Sequence, residues 1–334
     1  MSAQVLHKTA HLLPDWAAPI SSELDLVDRR LESVLMSDVD AAFGISVGLL
    51  SAGGKRVRPA LVLLTAFACN RDADRDRAVN LAAAMELVHM ASLVHDDVVD
   101  ERLSRRGAPT ANASWGNKIS VLGGDYLLSK AFHLLSTYGS PEILRALSAT
   151  AVQMTESEIL QASGEGDLSV WEANYWRIIH GKTAEFMGAC CECGAFLTGA
   201  DPRTRESLRE YGVQVGLAFQ ITDDVLDIVG NRAHTGKETG TDLAHGKFTL
   251  PVLLALTDAD EDGSLRGMLA KGKLTRSEAE EVAAHVIESG SVDSARLAAL
   301  DRADAAIKQL SGMPRSEYTD ALTALAGSVI SREG

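Results

Sequence analysis

The run Leu93-Val94-His95-Asp96-Asp97-Val98-Val99-Asp100 constrains this chain more than any other stretch. It closes an apolar, Ala-rich segment from Ala78 to Asp100 that has the pattern of a helix. Asp96 and Asp100 are four apart, so they share one helix face, with Cβ atoms roughly 5–6 Å apart. Like charges at that spacing destabilise a helix, and Asp97 beside them adds to the crowding. An otherwise core-like segment does not hold three anions unless a cation neutralises them. A divalent metal with hard oxygen ligands, Mg²⁺ above all, is the simplest such cation.

The pattern returns far downstream, as Gln220-Ile221-Thr222-Asp223-Asp224-Val225-Leu226-Asp227, again in an apolar run. One copy would be explained by a solvated helix face or a helix end. Two copies predict two helices that face each other across a cavity with their carboxylates at its mouth. Because Mg²⁺ keeps waters and is held by one or two carboxylates plus substrate phosphates, the pair predicts a phosphorylated ligand.

The net charge of −14 argues against nucleic acid and against an anionic membrane surface as partners. The longest apolar stretch, Pro59 to Cys69, is shorter than the roughly 18 residues of a transmembrane helix, and the N-terminus lacks the pattern of a signal peptide. The expectation is a soluble, cytoplasmic protein. Its cysteines are Cys69, Cys190, Cys191 and Cys193, which suggest no disulfide framework and suit a reducing compartment. The 190–193 cluster lacks a partner Cys/His pair at zinc spacing and reads as small buried residues of a helix.

Residues 1 to 20 read as irregular. Helical periodicity then covers Ser21 to Leu35, Ala60 to Cys69, Ala78 to Glu101, Ile119 to Leu135, Pro141 to Gln161, Trp171 to Leu197 and Arg205 to Val229. Gly44 to Gly54 reads as a break, and Ser104 to Gly116 as a loop. Gly230 to Lys247 has no apolar period and is too long for an ordinary connection, so it reads as a functional loop or lid. Thr249 to Leu256 resumes apolar character, and three amphipathic helices follow, around 276–289, 294–310 and 316–330. No strand alternation stands out. The expectation is a single all-α domain over residues 21–334, a helical bundle around a central cavity.

Cationic and short polar residues surround the Asp motifs in sequence. Gly53-Gly54-Lys55-Arg56-Val57-Arg58-Pro59 places three cations at a helix start, where an anion is already favoured. The alternative is a basic surface turn, and the spacing is not that of a P-loop, since Leu49 stands where its first Gly belongs. Arg105 and Arg106 follow the first motif, and guanidinium groups bind phosphate in bidentate fashion. Lys182, Lys237 and Lys247 are further phosphate ligands by type. Thr183 and Gln220 are short polar groups in apolar helices, able to aim an oxygen dipole into a cavity. His89 lies two turns before Asp96; the plain alternative is a core histidine. Glu86-Leu87-Val88-His89 also fits the Glu-x-x-His of di-iron bundles, but the second such motif is missing, since Glu281 and His285 have the wrong spacing.

Together these segments resemble the trans-isoprenyl diphosphate synthases, the polyprenyl synthetase family. The resemblance rests on both Asp-rich motifs, Gly53 to Pro59, Arg105-Arg106-Gly107, Lys182-Thr183-Ala184, Phe219-Gln220, Gly236-Lys237 and Gly246-Lys247, and runs from about residue 50 to 255. It implies the all-α isoprenoid synthase fold, mostly antiparallel helices around a deep apolar cavity, and a homodimer. It implies head-to-tail condensation of isopentenyl diphosphate onto an allylic diphosphate with Mg²⁺, three ions per active site. By that resemblance Asp96, Asp100 and Asp223 hold the metal, with Asp97, Asp224 and Asp227 assisting. Lys182, Arg105 and Lys237 contact the allylic diphosphate, with Lys247 a further phosphate ligand, and Lys55, Arg58, His89 and Arg106 bind isopentenyl diphosphate.

Chain length follows from the wall above Asp96. Ala91 and Ser92 precede it by about one turn, where short-chain members of the family put an aromatic floor. Both are small here, so the tunnel is expected to continue past Val88 and Ala84, each turn adding about 5.4 Å, roughly one isoprene unit. The expectation is a hexaprenyl to nonaprenyl product for a quinone side chain. The alternatives are a farnesyl or geranylgeranyl diphosphate synthase, a subunit of a heteromeric synthase, a terpene cyclase, and a helical scaffold with acidic faces.

Overall fold

Leu24, Val27 and Leu31 recur at helical spacing and form the buried stripe of the first long helix, α1 (Ser21–Val34). The structure, a computed structural model, describes residues 13–138, 140–230, 240–258 and 263–331. After α1 come α2 (Asp40–Ser51), α3 (Val57–Cys69), α4 (Arg75–Val99), α5 (Ala111–Tyr138), α6 (Pro141–Ser163), α7 (Leu168–Ile179), α8 (Glu185–Leu197) and α9 (Pro202–Val229). Helices Thr241–Ala244, Leu250–Asp258, Ser264–Leu269, Arg276–Glu288, Ser291–Gln309 and Glu317–Ile330 complete the described chain. Among the described residues, strand is confined to one hairpin, Ser104–Arg105 paired antiparallel with Ala108–Pro109. The protein is all-α.

The helices group into two compact units, each assembled from separate stretches of chain. The first consists of Met1–Ala146, Cys190–Glu206 and Met313–Leu322. Its axis is α4, packed against α1, α3 and α5, with Leu81, Met85, Leu87 and Val94 buried. Burying each such side chain contributes about 1.5–3 kcal/mol. The Asp74 side chain caps α4 by accepting from the Arg77 N–H at 3.1 Å. By length and composition alone α4 is apolar enough to cross a membrane, but most of its apolar window is buried, as in the core helix of a folded domain. The second unit consists of Leu147–Ala189, Ser207–Gly312 and Thr323–Gly334. Its core is built on Trp171, Tyr175, Leu217, Ile221, Phe248 and Val282.

The structure departs from the sequence expectations at four places. Gly44 to Gly54 is not a break, because α2 runs through Gly44 and Gly48. The helical cost of Gly44 is offset by packing: a Cβ there would lie 2.7 Å from the Trp115 ring. Ser104 to Gly116 is not a loop. It forms the hairpin and the start of α5, which kinks at Gly116, where φ is +76°. The expected helix from Trp171 to Leu197 is divided by a π-helical turn, His180–Ala184. Within the segment read as irregular, Asp15–Ile20 forms a 3₁₀ helix that buries Trp16, Ala17 and Ile20; residues 1–12 lie outside the described chain.

Candidate active site

Each Asp motif occupies the C-terminal end of a long helix. Asp96 and Asp97 lie in the last turn of α4, with the Asp100 N–H donating to the Asp96 carbonyl at 2.8 Å just beyond it. Asp223 to Asp227 lie in the last two turns of α9. Anions at a helix C-terminus oppose the macrodipole by about 0.3–1 kcal/mol each, so both sites favour a nearby cation.

In each motif the middle carboxylate turns inward while the outer two stay half-buried. Asp97 is 2 % exposed, and the Arg105 guanidinium donates to it from Nε at 3.0 Å and Nη2 at 2.7 Å. Asp224 is also 2 % exposed, and it accepts from the Tyr175 hydroxyl at 2.6 Å and from the Gln220 amide at 3.1 Å. Burial pushes the Asp224 carboxyl well above the usual carboxylate range, aided by Asp242 and Asp223, while the Tyr175 and Gln220 donors oppose that shift. Burial and Asp224 likewise raise the Tyr175 phenol, so it remains a donor. Asp97 and Asp224, expected to assist the metal, thus have their carboxylates engaged by side chains. Arg105, expected on the allylic diphosphate, grips Asp97.

The cations of the first unit divide by depth. Gly53 has φ +63°, and a Cβ on Gly54 would lie 2.9 Å from Arg106 Nη1, which donates to the Gly53 carbonyl. The paired glycines therefore let Arg106 close over the turn. Arg56 is left-handed at φ +48° and buried, ion-paired to Glu86 at 2.7 Å and Asp28 at 3.0 Å. It is a structural cation, and Glu86 is its counter-ion, which removes the di-iron alternative for Glu86 and His89. Lys55 is exposed and Arg58 half-buried. Arg58 Nη1 donates to His89 Nε2 at 3.2 Å, so the proton of the neutral ring sits on Nδ1, a buried atom with no hydrogen-bond partner among the described residues. Burial, then Arg58, Arg106, Arg105 and Arg56, hold His89 well below its ordinary pKa. With Arg56 paired to Glu86 and Asp28 and Arg105 to Asp97, Arg58 and Arg106 beside His89 are the cationic groups of this unit suited to an anion.

The second unit gathers the remaining candidates. Gly216 lets α9 approach the π turn, where a Cβ would lie 2.5 Å from the Ala184 Cα. Gly181 similarly admits Ser157 of α6. This close packing brings the Thr183 hydroxyl to 3.1 Å from Gln220 Oε1, to which it donates. Lys182 pairs with Glu158 at 2.6 Å. A small cavity of about 30 Å³, enough for a water, is lined by Tyr175, Lys182, Gln220, Asp224 and the buried Lys247, among others. Asp227 Oδ2 accepts from the Asp242 N–H at 3.1 Å. Lys237 lies outside the described residues. On α4, Val88 and Ala91 are buried and Ser92 is half-buried, its hydroxyl donating to the His89 carbonyl at 2.9 Å. Cys190, Cys191 and Cys193 are buried in α8, where burial pushes the Cys190 thiol up to about 12.

Tyr175 and Glu158 escaped the sequence reading. The one signal for Tyr175 is its place two helical turns before Lys182. Among the described residues no cluster of three or more His, Cys, Asp or Glu forms a closed metal cage. Asp96, Asp100, Asp223 and Asp227 instead supply hard carboxylate oxygens of the type that Mg²⁺ takes together with waters and phosphate oxygens; Asp100 is paired with Arg102 at 3.3 Å.

Comparison with known proteins identifies the family. Residues 44–286 match the family model described as polyprenyl synthetase. The all-trans-nonaprenyl-diphosphate synthase (geranyl-diphosphate specific) of Rhodobacter capsulatus is 37 % identical over 95 % of this chain and 97 % of its own length. The octaprenyl diphosphate synthase of Escherichia coli (strain K12) is 36 % identical over 92 % of this chain and 95 % of its own. A crystal structure of a polyprenyl synthase from Caulobacter crescentus CB15, complexed with calcium and isoprenyl diphosphate, superimposes with a TM-score of 0.88 at 35 % identity, covering 96 % of this chain and 97 % of that one. With nearly three quarters of its length under the family model and relatives matched over more than nine tenths of both chains, the chain belongs to the polyprenyl synthetase family and is a prenyltransferase.

Proposed function

We propose that the chain is an all-trans polyprenyl diphosphate synthase. It adds isopentenyl diphosphate head-to-tail to an allylic diphosphate, such as farnesyl diphosphate, and stops at a long product, hexaprenyl to nonaprenyl, suited to a quinone side chain. The family is metal-dependent and acts on prenyl diphosphates. The observation that carries the product length is α4, which has no aromatic residue from Arg75 to Val99 and sets Val88, Ala91 and Ser92 on the turns before Asp96. The octaprenyl and nonaprenyl synthases among its relatives support the same length.

Asp96, Asp100, Asp223 and Asp227 would hold Mg²⁺, three ions with substrate bound, and the metal would stabilise charge on the departing diphosphate. Lys182, Lys237 and Lys247 add fixed positive charge for the allylic diphosphate. Lys55, Arg58, Arg106 and the neutral His89 hold isopentenyl diphosphate, whose charge needs the cationic cluster that depresses the His89 pKa. Thr183 and Gln220 offer oxygen dipoles to the cationic carbon without offering a strong nucleophile. The isopentenyl double bond attacks that carbon, the adduct loses a proton, and the released diphosphate accepts it. No side-chain base is required.

The working form is a homodimer, supported by Val121, Leu122 and Phe132, which are 41 %, 55 % and 38 % exposed along α5. A cytoplasmic setting suits the four free cysteines. Chain length is tested by Ala91→Phe and Ser92→Phe. Each is expected to shorten the product ladder while leaving isopentenyl incorporation in place; an unchanged ladder from both would overturn the α4 floor.

A further inference from the structure

Tyr175 belongs to none of the motifs that define the site, yet it ends a directed chain of hydrogen bonds leading into it. Its hydroxyl donates to Asp224 Oδ2 at 2.6 Å. The other carboxylate oxygen, Asp224 Oδ1, accepts from Gln220 Nε2 at 3.1 Å. Gln220 Oε1 in turn accepts from the Thr183 hydroxyl at 3.1 Å. We propose that Tyr175 is a positioning residue for chain elongation: it fixes Asp224, and Asp224 fixes the Gln220 amide with its oxygen, rather than its NH₂, on the Thr183 side.

An amide side chain has two orientations of nearly equal shape and opposite polarity. In a site where positive charge develops on carbon, the oxygen end stabilises that charge and the NH₂ end opposes it. In this arrangement Asp224 Oδ1 accepts from the NH₂ end, and a flipped amide would set its oxygen against that acceptor. Asp224 holds this position only while its second oxygen is engaged. Tyr175 does so from α7, across from α9, with a ring that is 2 % exposed and has two rotatable bonds. Asp224 and Gln220 are four apart on α9, so their side chains lie on one helix face, where the contact between them forms. The small cavity beside Tyr175, Gln220 and Asp224 leaves room for the amide to turn if the anchor is lost.

This inference rests on the elongation chemistry proposed above, and the experiment separates the two. Wild type, Tyr175→Phe, Gln220→Ala and the double variant are assayed for isopentenyl incorporation from farnesyl diphosphate. Affinity for a non-ionising thiolo analogue of that diphosphate and melting temperature are measured on the same proteins. Removing one hydroxyl is expected to lower kcat about 10- to 100-fold, as for other displaced catalytic groups, with analogue affinity and melting temperature unchanged. In the Gln220→Ala background Tyr175→Phe is expected to cost nothing further, because its route to the reaction is gone. If Tyr175→Phe disturbs melting, Asp224→Asn is expected to give the same kcat loss and the same non-additivity. Losses that multiply in the double variant, or an unchanged kcat in Tyr175→Phe, would overturn the positioning role while elongation stands. Absence of isopentenyl incorporation by wild type would overturn the elongation chemistry, and the inference with it.

Discussion

The two Asp-Asp-x-x-Asp motifs share spacing, helix position and an inward middle carboxylate, but they neutralise that carboxylate differently. In the first unit Asp97 is met by a full positive charge, Arg105, at 2.7 Å. In the second, Asp224 is met by two neutral donors, Tyr175 and Gln220, and burial raises its pKa. A cation can hold a buried carboxylate outright, whereas neutral donors hold it only through geometry. The first motif therefore behaves as a charge-balanced anchor for the hairpin that carries Arg105. The second behaves as a hub that ties α7, the π turn and α9 to one carboxylate.

The largest expected effects fall on the outer carboxylates. Asp96→Asn and Asp223→Asn should each lower kcat by about 10²–10³-fold, the scale of losing one element of charge stabilisation. Asp97→Asn and Asp224→Asn should lose less. Equal losses at all four positions, in steady-state assays at saturating Mg²⁺, would erase the distinction between outer and inner residues.

Stability should then separate the two inner residues. Asp97→Ala leaves Arg105 without its counter-ion and should cost about 3 kcal/mol in urea unfolding. Asp224→Asn keeps the shape of its site while removing a buried charge, and should cost less than about 1 kcal/mol. The reverse order would mean that the hub, not the anchor, is the electrostatically demanding site.

Glycines sharpen the same contrast. A Cβ on Gly216 would meet backbone at 2.5 Å, so Gly216→Ala should destabilise by about 1–3 kcal/mol and disturb the π turn. A Cβ on Gly54 would meet only the end of a guanidinium at 2.9 Å, so Gly54→Ala should leave unfolding nearly unchanged and raise the KM for isopentenyl diphosphate.

The smallest effect is a pH slope. The folded state holds His89 well below its ordinary value of 6.5, so the unfolded chain binds this proton first as pH falls. The stability associated with neutral His89 is present above pH 6.5 and is lost as pH falls from there toward the depressed folded value. The slope is at most about 1.4 kcal/mol per pH unit, and His89→Gln should flatten it in denaturation curves at several pH values.

Much of this was legible in the sequence, for reasons the structure makes plain. Both motifs close apolar stretches of long helices, and the i, i+4 carboxylate pair, ambiguous in one copy, points to a cation once it recurs. Periodicity does not report depth. It does not separate Asp97 from Asp96, or the buried Arg56 from the exposed Lys55, because those differences come from partners distant in sequence, Arg105 in one case and Glu86 with Asp28 in the other. The π turn was invisible because Trp171 to Leu197 has unbroken helical composition, and Tyr175 because a buried tyrosine in an apolar run resembles any core aromatic.

The most direct test of the account uses the purified chain alone, with Mg²⁺, labelled isopentenyl diphosphate and farnesyl diphosphate, and resolves the products by length. The account predicts a ladder that ends between hexaprenyl and nonaprenyl. A ladder that stops at geranylgeranyl diphosphate, or an absence of incorporation, would contradict it.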